Sequence, residues 1–159
     1  MRRLAAAVLA FMIVMPAAAD DPGMALYKRC AACHLANGKG VPGTFPPLVD
    51  RLEQAATSEA GRAYLVLTVT AGVMGPIDVD GRTYRGIMPA QAGLSDADIA
   101  AVLNYAKDLK SAGAEPAGTE PFTAEEVAAI RAAHPGLNPR TVHALRDGVF
   151  DAAGMETQE

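Results

Sequence analysis

The chain has 159 residues, of which 50% are hydrophobic and 20% charged, and its formal net charge at pH 7 is −4. This length fits a single domain. An acidic balance argues against a nucleic-acid partner and favours a partner protein with a basic surface. Tryptophan is absent and aromatic residues make up only 5% of the chain, so its own core is modest and would gain from a buried apolar cofactor.

The N-terminus is typical of a secretory signal peptide. Two arginines precede an uninterrupted apolar run at positions 4–15, and Pro16 and a short run of alanines follow it. About twenty apolar residues are needed to cross a bilayer, so cleavage is favoured over the alternative, a retained membrane anchor. We expect residues 1–19 to be removed, leaving no membrane span and a mature protein in a bacterial periplasm. Loss of the two arginines changes the formal charge to about −6.

Residues 30–34, Cys-Ala-Ala-Cys-His, have the spacing of a covalent haem-attachment site. Each thiol can add to one porphyrin vinyl group, and the histidine can ligate the iron below the ring. Cys30 and Cys33 are the only two cysteines in the chain. A redox dithiol would need a βαβ context, and no strand pattern precedes Cys30. A zinc site would need two more ligands, whereas His134 and His143 lie far along the chain and are expected at the surface.

Three helices are predicted before residue 110. The first covers about 22–32. The second covers 58–71 with Ser58 as its N-cap, although its β-branched residues leave a strand open as the alternative. The third begins at Ser95, has Asp98 at the capping-box position and continues with apolar residues at helical spacing.

The segments between and after these helices are rich in turn-forming residues. A structured Gly/Pro-rich loop is predicted over 37–48, and Asp80-Gly81 predicts a tiny hairpin. Residues 111–121 indicate a linker or a wrapping arm. Short helices are expected from Thr123 and over about 138–148.

A second ligand for the haem iron is expected from a methionine, because a soft thioether stabilises ferrous iron. Met88 is the preferred candidate, since the following Pro89 restricts it to an extended conformation. Met74, with glycines nearby on both sides, is the rival and is otherwise a gap-filling core residue. Met24 lies too near the first cysteine, and Met155 lies in the tail.

The residues expected to support the haem are Pro46, Leu48, Arg82, Tyr84 and Arg85. The Pro46 carbonyl would accept a hydrogen bond from His34 and fix its tautomer. Leu48 would pack against the ring edge, with an ordinary core position as the alternative. The two arginines would pair with haem propionates, with plain surface solvation as the alternative.

Together these motifs resemble the class I (mono-haem) cytochrome c family, and more closely its bacterial periplasmic members associated with dehydrogenases. The match covers about 22–109. It rests on the Cys-x-x-Cys-His motif, a Phe-Pro-Pro-Leu turn at 45–48, the segment 84–89 and the helix start at 94–99. The resemblance implies an all-α class I cytochrome c fold over 20–110, with helices around one haem, Pro/Gly-rich loops and a small hairpin. Residues 111–159 would add a linker and a short helical extension.

The resemblance also assigns roles to the site residues. It implies one covalent haem c, thioether bonds from Cys30 and Cys33, proximal His34, distal Met88 and a supporting Pro46 carbonyl. In this family the first and last helices cross near a glycine and an aromatic residue. Here Gly23 and Leu26 would face Val102 and Tyr105, with Leu26 replacing the usual aromatic residue.

The implied function is one-electron transfer without substrate chemistry. The carrier would pass electrons from a periplasmic dehydrogenase to the respiratory chain, with an oxidase or another cytochrome as acceptor. It would act as a separate carrier or as the cytochrome subunit of the dehydrogenase. The alternative is a haem enzyme or gas sensor with a displaceable distal ligand. The extension departs from the minimal family pattern and would bind a partner or cover the domain.

Overall fold

The computed structural model describes residues 21–115 and 117–150, and the predicted signal peptide and the tail from 151 lie outside them. The described chain is mainly helical, with four very short strands. Its helices are α1 (Pro22–His34), α2 (Arg51–Ala55), α3 (Glu59–Ala71), α4 (Asp96–Lys107), α5 (Ala124–Ala133), α6 (Pro139–Ala144) and α7 (Asp147–Phe150). Its strands are β1 (Val73–Met74), β2 (Ile77–Val79), β3 (Arg82–Tyr84) and β4 (Ile87–Met88). None of the described helices is long and apolar enough to span a bilayer.

Side-chain caps set the starts of the three long helices in the first part of the chain. The Asp21 carboxylate accepts a hydrogen bond from the backbone N–H of Gly23 at 2.8 Å ahead of α1. Ser58 caps α3, and Ser95 and Asp98 form a complete capping box at α4. The helical prediction for 58–71 is therefore confirmed over the strand alternative.

Helices α1 and α4 cross at a glycine. A Cβ atom on Gly23 would overlap the carbonyl oxygen of Ala101, so only glycine permits this approach. Beside it, the buried ring of Tyr27 packs on Tyr105 with 5.2 Å between ring centroids. The expectation that Leu26 replaces the aromatic residue is wrong, because Tyr27, one position further along the helix, supplies it. Leu26 is only half-buried against the same cluster.

The four strands form two nested antiparallel pairs. Strands β2 and β3 pair around Asp80 and Gly81, which both have positive φ, so the predicted hairpin is confirmed. Strands β1 and β4 pair outside it, with Val73 opposite Met88. The sequence did not predict this second pair, which joins the two ends of the segment that carries the hairpin.

The C-terminal helices share the main hydrophobic core. Val127 in α5 and Val142 in α6 are completely buried, and they pack in one cluster with Val66, Leu67 and Ile99. The extension therefore packs against α3 and α4 and does not project from the domain.

Two details of the extension differ from the prediction. The single helix expected over 138–148 is broken, because a tight turn at Leu145 and Arg146 separates α6 from α7. His143, expected at the surface, is half-buried, and its Nε2 lies 2.7 Å from the Pro76 carbonyl oxygen. His134 is also half-buried, and its ring contacts the Ile130 carbonyl one turn earlier in the chain.

Candidate haem site

A mostly apolar cavity lies between α1, the loop that precedes α2, α3 and both strand pairs. Its wall includes Cys30, Cys33 and His34 from the start of the chain and Met88 from β4. Residues of the C-terminal extension complete it. The apolar and aromatic wall residues are Phe45, Pro46, Pro47, Leu48, Leu52, Tyr64, Leu65, Val73, Ile77, Val79, Tyr84, Ile87, Pro89 and Phe150.

His34 is fixed at the end of α1 with one nitrogen held by the backbone. Its Nδ1 lies 2.9 Å from the Pro46 carbonyl oxygen, and only 8% of the residue is exposed. Because a carbonyl can only accept, Nδ1 carries the proton and Nε2 keeps its lone pair. Burial lowers the pKa of His34, although the bond to Pro46 opposes this. The neutral imidazole is thus suited to bind a metal.

The two cysteines are half-buried in the cavity wall and form no disulfide. Burial raises the pKa of the Cys30 thiol, and nearby Arg29 only partly offsets this. A catalytic dithiol needs the opposite shift, since the thiolate is the nucleophile. The arrangement therefore disfavours a thiol oxidoreductase.

The cavity wall distinguishes the two candidate methionines. Met88 pairs with Val73, and both line the cavity. Met74 pairs with Ile87 and does not belong to this wall. Among the methionines that the structure describes, Met88 alone contributes to the cavity wall.

The predicted supporting residues divide into two groups. Pro46, Leu48 and Tyr84 line the cavity, and Tyr84 is buried. Arg82 begins β3 and Arg85 follows its last residue; both are exposed, and neither belongs to the cavity wall.

Three other arginines line the cavity: Arg29, Arg51 and Arg146. Within the described chain, no aspartate or glutamate belongs to this wall. None of the three was predicted from the sequence. Arg29 could have been found from its position beside Cys30, but nothing local links residue 146 to the cavity.

The cavity fits a haem by its chemistry as well as by its apolar wall. Thr68 lines it, and the Thr68 hydroxyl is buried with no hydrogen-bond partner among the described residues. Such orphaned groups are rare in folded proteins and indicate that a further group belongs beside them. An imidazole, a thioether and two thiols provide iron ligands and attachment points, and the arginines suit the carboxylates of a porphyrin.

Comparison with known proteins agrees with this geometry. The Cytochrome c family model matches residues 21–110. A cytochrome c-552 of Thermus thermophilus is 41% identical over 140 residues, which cover 87% of this chain and 93% of the relative. Another cytochrome c-552 of the same species is 43% identical over 124 residues, covering 78% and 93%. The chain therefore belongs to the class I mono-haem cytochrome c family.

The predicted class I cytochrome c fold and a single covalent haem c are thus confirmed, and Cys30 and Cys33 fit the attachment motif. The protein is a c-type cytochrome that carries electrons between redox partner proteins. The family model ends at residue 110, whereas the two alignments cover 140 and 124 residues. Each alignment therefore includes part of the chain outside the family domain.

Proposed function

We propose that this cytochrome is a periplasmic one-electron carrier whose haem iron is ligated by His34 and Met88. The observation that carries the proposal is that both side chains line one cavity together with Cys30 and Cys33, from two separate elements. A haem ligated on both faces supplies one-electron exchange with no open position for a substrate.

Each residue has a defined task in this proposal. The thiols of Cys30 and Cys33 anchor the ring covalently. The Pro46 carbonyl holds the His34 ring in orientation and increases its basicity as a ligand. The Met88 thioether favours the ferrous state and raises the reduction potential. The apolar wall excludes water, which reduces solvent reorganisation when the charge changes.

The alternative function, a haem enzyme or gas sensor, requires a distal ligand that leaves easily. Met88 is held by its pairing with Val73 and by Pro89, which follows it. The part of the cavity wall that the structure describes also carries no carboxylate for acid-base chemistry. These features favour electron transfer.

For partners, we propose a periplasmic dehydrogenase as donor and an oxidase or another cytochrome of the respiratory chain as acceptor. The signal-like N-terminus and the acidic net charge support export and a basic docking face on the partner. Gentle purification of the native protein tests this. A mature chain that begins near Asp20 and copurifies with dehydrogenase chains would support the proposal, and recovery from the cytoplasm would refute it.

The ligand assignment is tested by two matched substitutions in the haem-loaded protein. Met88→Ala should remove the weak red absorption band that marks methionine bound to ferric iron, and should lower the reduction potential, because a thioether ligand raises it. Met74→Ala should leave both unchanged, since Met74 does not line the cavity. Loss of the band in Met74→Ala with retention in Met88→Ala would reassign the ligand.

A further inference from the structure

The C-terminal extension holds the segment 75–78, which leads from β1 into β2, at two neighbouring points. The Pro76 carbonyl oxygen lies 2.7 Å from Nε2 of His143 in α6, so this nitrogen carries the hydrogen and donates it. Two residues further along, the Asp78 carbonyl oxygen accepts a hydrogen bond from Nη2 of Arg146 at 2.9 Å. Both bonds are made to the backbone of the segment, so they fix where the segment lies.

The imidazole ring of His143 also fits closely against Gly75. A Cβ atom on Gly75 would lie 2.5 Å from the His143 Cδ2 atom, so the ring occupies the space into which a side chain would project. Helix α6 packs against β1, and Val142, the residue before His143, is completely buried in one cluster with Val73 of β1. The contact between the extension and the start of the hairpin segment is therefore anchored in the core.

The strands that carry Met88 depend on such outside contacts. Strands β1 and β4 pair through two residues each, and β2 and β3 through three residues each. Two-stranded pairs are at best marginally stable in water on their own. Met88 belongs to the shorter pair, opposite Val73, and lines the cavity. Its position therefore depends on what holds β1 in place, and the extension supplies part of that support.

We propose that α6 and α7 form a latch on the segment 75–78, which sets the fraction of molecules in which Met88 has left the iron. This inference rests on the proposed function, because it takes Met88 to be an iron ligand. While the latch is closed, β1 and β4 stay paired against the cavity. When it opens, the pair loses its support, the thioether moves away and small ligands from solvent gain access to the iron. The latch contacts thus set the population of the open state.

The first test is an imidazole titration of the ferric, haem-loaded, full-length protein, followed by loss of the red methionine band. The apparent affinity for imidazole is the intrinsic affinity reduced by the fraction of open protein. His143→Leu keeps an apolar bulk in α6 but cannot donate to Pro76, and the loss of one hydrogen bond should raise the apparent affinity about fivefold. His143→Gln, whose amide can still donate, should raise it less. Equal affinities in the Leu and Gln variants would overturn the latch.

Glu126→Gln is the matched control. It weakens another contact of the same extension, because the bonds of Glu126 run to Arg62 in α3 and not to the segment 75–78. This variant should lower the free energy of unfolding and leave the imidazole affinity unchanged. A rise in affinity as large as that of His143→Leu would mean that general loss of stability opens the site, and would overturn the latch.

Hydrogen exchange of the backbone amides gives a readout that needs no added ligand. In His143→Leu the amides of residues 73–88 should exchange about fivefold faster, because the latch opens more often. In Glu126→Gln the exchange of this segment should stay at the wild-type rate. If His143→Leu retains no haem, the comparison of His143→Gln with Glu126→Gln decides, and equal exchange over 73–88 in these two variants would overturn the latch.

The same measurements separate this inference from the function that it rests on. If the wild type shows the red methionine band and His143→Leu binds imidazole only as tightly as the wild type, the latch alone is refuted. A wild type without that band, or a Met88→Ala variant that keeps it, would refute the proposed iron ligand itself.

Discussion

At the scale of single residues, Tyr27 secures the end of the helix that carries the haem-binding motif. Its ring is 3% exposed, and its hydroxyl donates to the carbonyl of Leu35 at 3.0 Å. Burial, with smaller contributions from Cys30 and Tyr105, raises the pKa of Tyr27 to about 12, so the donor proton stays in place at neutral pH. Leu35 has φ of 63°, a left-handed conformation that is strained for leucine and needs such support.

Replacing Tyr27 with phenylalanine should lower the free energy of unfolding by about 1 kcal/mol, because the Leu35 carbonyl loses one of its two donors and keeps only the backbone N–H of Gly38. Guanidinium denaturation of the ferric protein measures this. Tyr105→Phe is the matched control, since it keeps the packed rings and the bond to Leu35. An equal loss in the two variants would contradict the assigned role of the hydroxyl.

Local motifs identified some site residues and not others. The cysteine spacing placed Cys30, Cys33 and His34 together, and the rigid proline loop placed the Pro46 carbonyl next to the histidine. The position of Arg146 in the cavity wall could not be predicted from local sequence, because it depends on how the extension folds back over the hairpin. Arg82 and Arg85 lie close in sequence to the proposed methionine ligand, but a side chain that neighbours a ligand in sequence need not share its cavity.

At the scale of helices and strands, the close crossing of α1 and α4 depends on Gly23. A methyl group there would overlap the Ala101 carbonyl oxygen and would lie 2.8 Å from the Tyr105 Cβ atom. Gly23→Ala should therefore push the helices apart and lower the free energy of unfolding by about 1–3 kcal/mol.

The matched control for that substitution is Gly148→Ala in α7. No heavy atom lies within 4 Å of the added carbon there. Alanine is also favoured over glycine in a helix by about 1 kcal/mol, so stability should stay level or rise slightly. Thermal unfolding followed by circular dichroism measures both variants. A Gly23→Ala protein as stable as the wild type would contradict the conclusion that α1 and α4 approach too closely at this position for a side chain.

Elements with local signals were predictable, and elements made by distant contacts were not. Helices α1, α3 and α4 carry caps and apolar residues at helical spacing, so the sequence indicates them. Helix α2 has five residues and begins after Asp50, whose side chain makes no capping bond. The ladder of β1 and β4 has two residues on each strand, too few to show alternation. It forms only because the intervening hairpin brings both ends together.

At the scale of the whole molecule, Arg62 joins α3 to the extension. Its Nε and Nη2 donate to the two carboxylate oxygens of Glu126 at 2.5 and 2.6 Å. The same guanidinium bonds to the carbonyls of Glu120 and Pro121 and lies 4.0 Å from the centre of the Phe122 ring. A two-bond contact of this kind holds the linker and α5 in one orientation.

This contact predicts a pH-dependent stability. The hydrogen bond from Arg62 holds the pKa of Glu126 below its ordinary value of 4.5, although burial opposes the shift. The carboxylate therefore stabilises the fold above pH 4.5, and this contribution is lost as the pH falls through the lowered pKa. At neutral pH, Glu126→Gln should lower the free energy of unfolding by about 1 kcal/mol. Solvent screening limits the effect to this size, because both side chains are partly exposed.

The difference in the free energy of unfolding between wild type and Glu126→Gln should become smaller at about pH 3, because the wild-type carboxylate is increasingly protonated there. Glu125→Gln is the control, because Glu125 is the exposed neighbour of Glu126 on the same helix. A difference between wild type and Glu126→Gln that is the same at both pH values would rule out the ionised pair as its source.

The cavity wall draws on residues from position 29 to position 150, nearly the full span of the described chain. The pocket therefore cannot close until the residues up to position 150 have folded into place. Until then both thiols stay open to the machinery that joins them to the porphyrin. Late closure gives attachment a time window, and docking of the final helices seals a cofactor that is already bound.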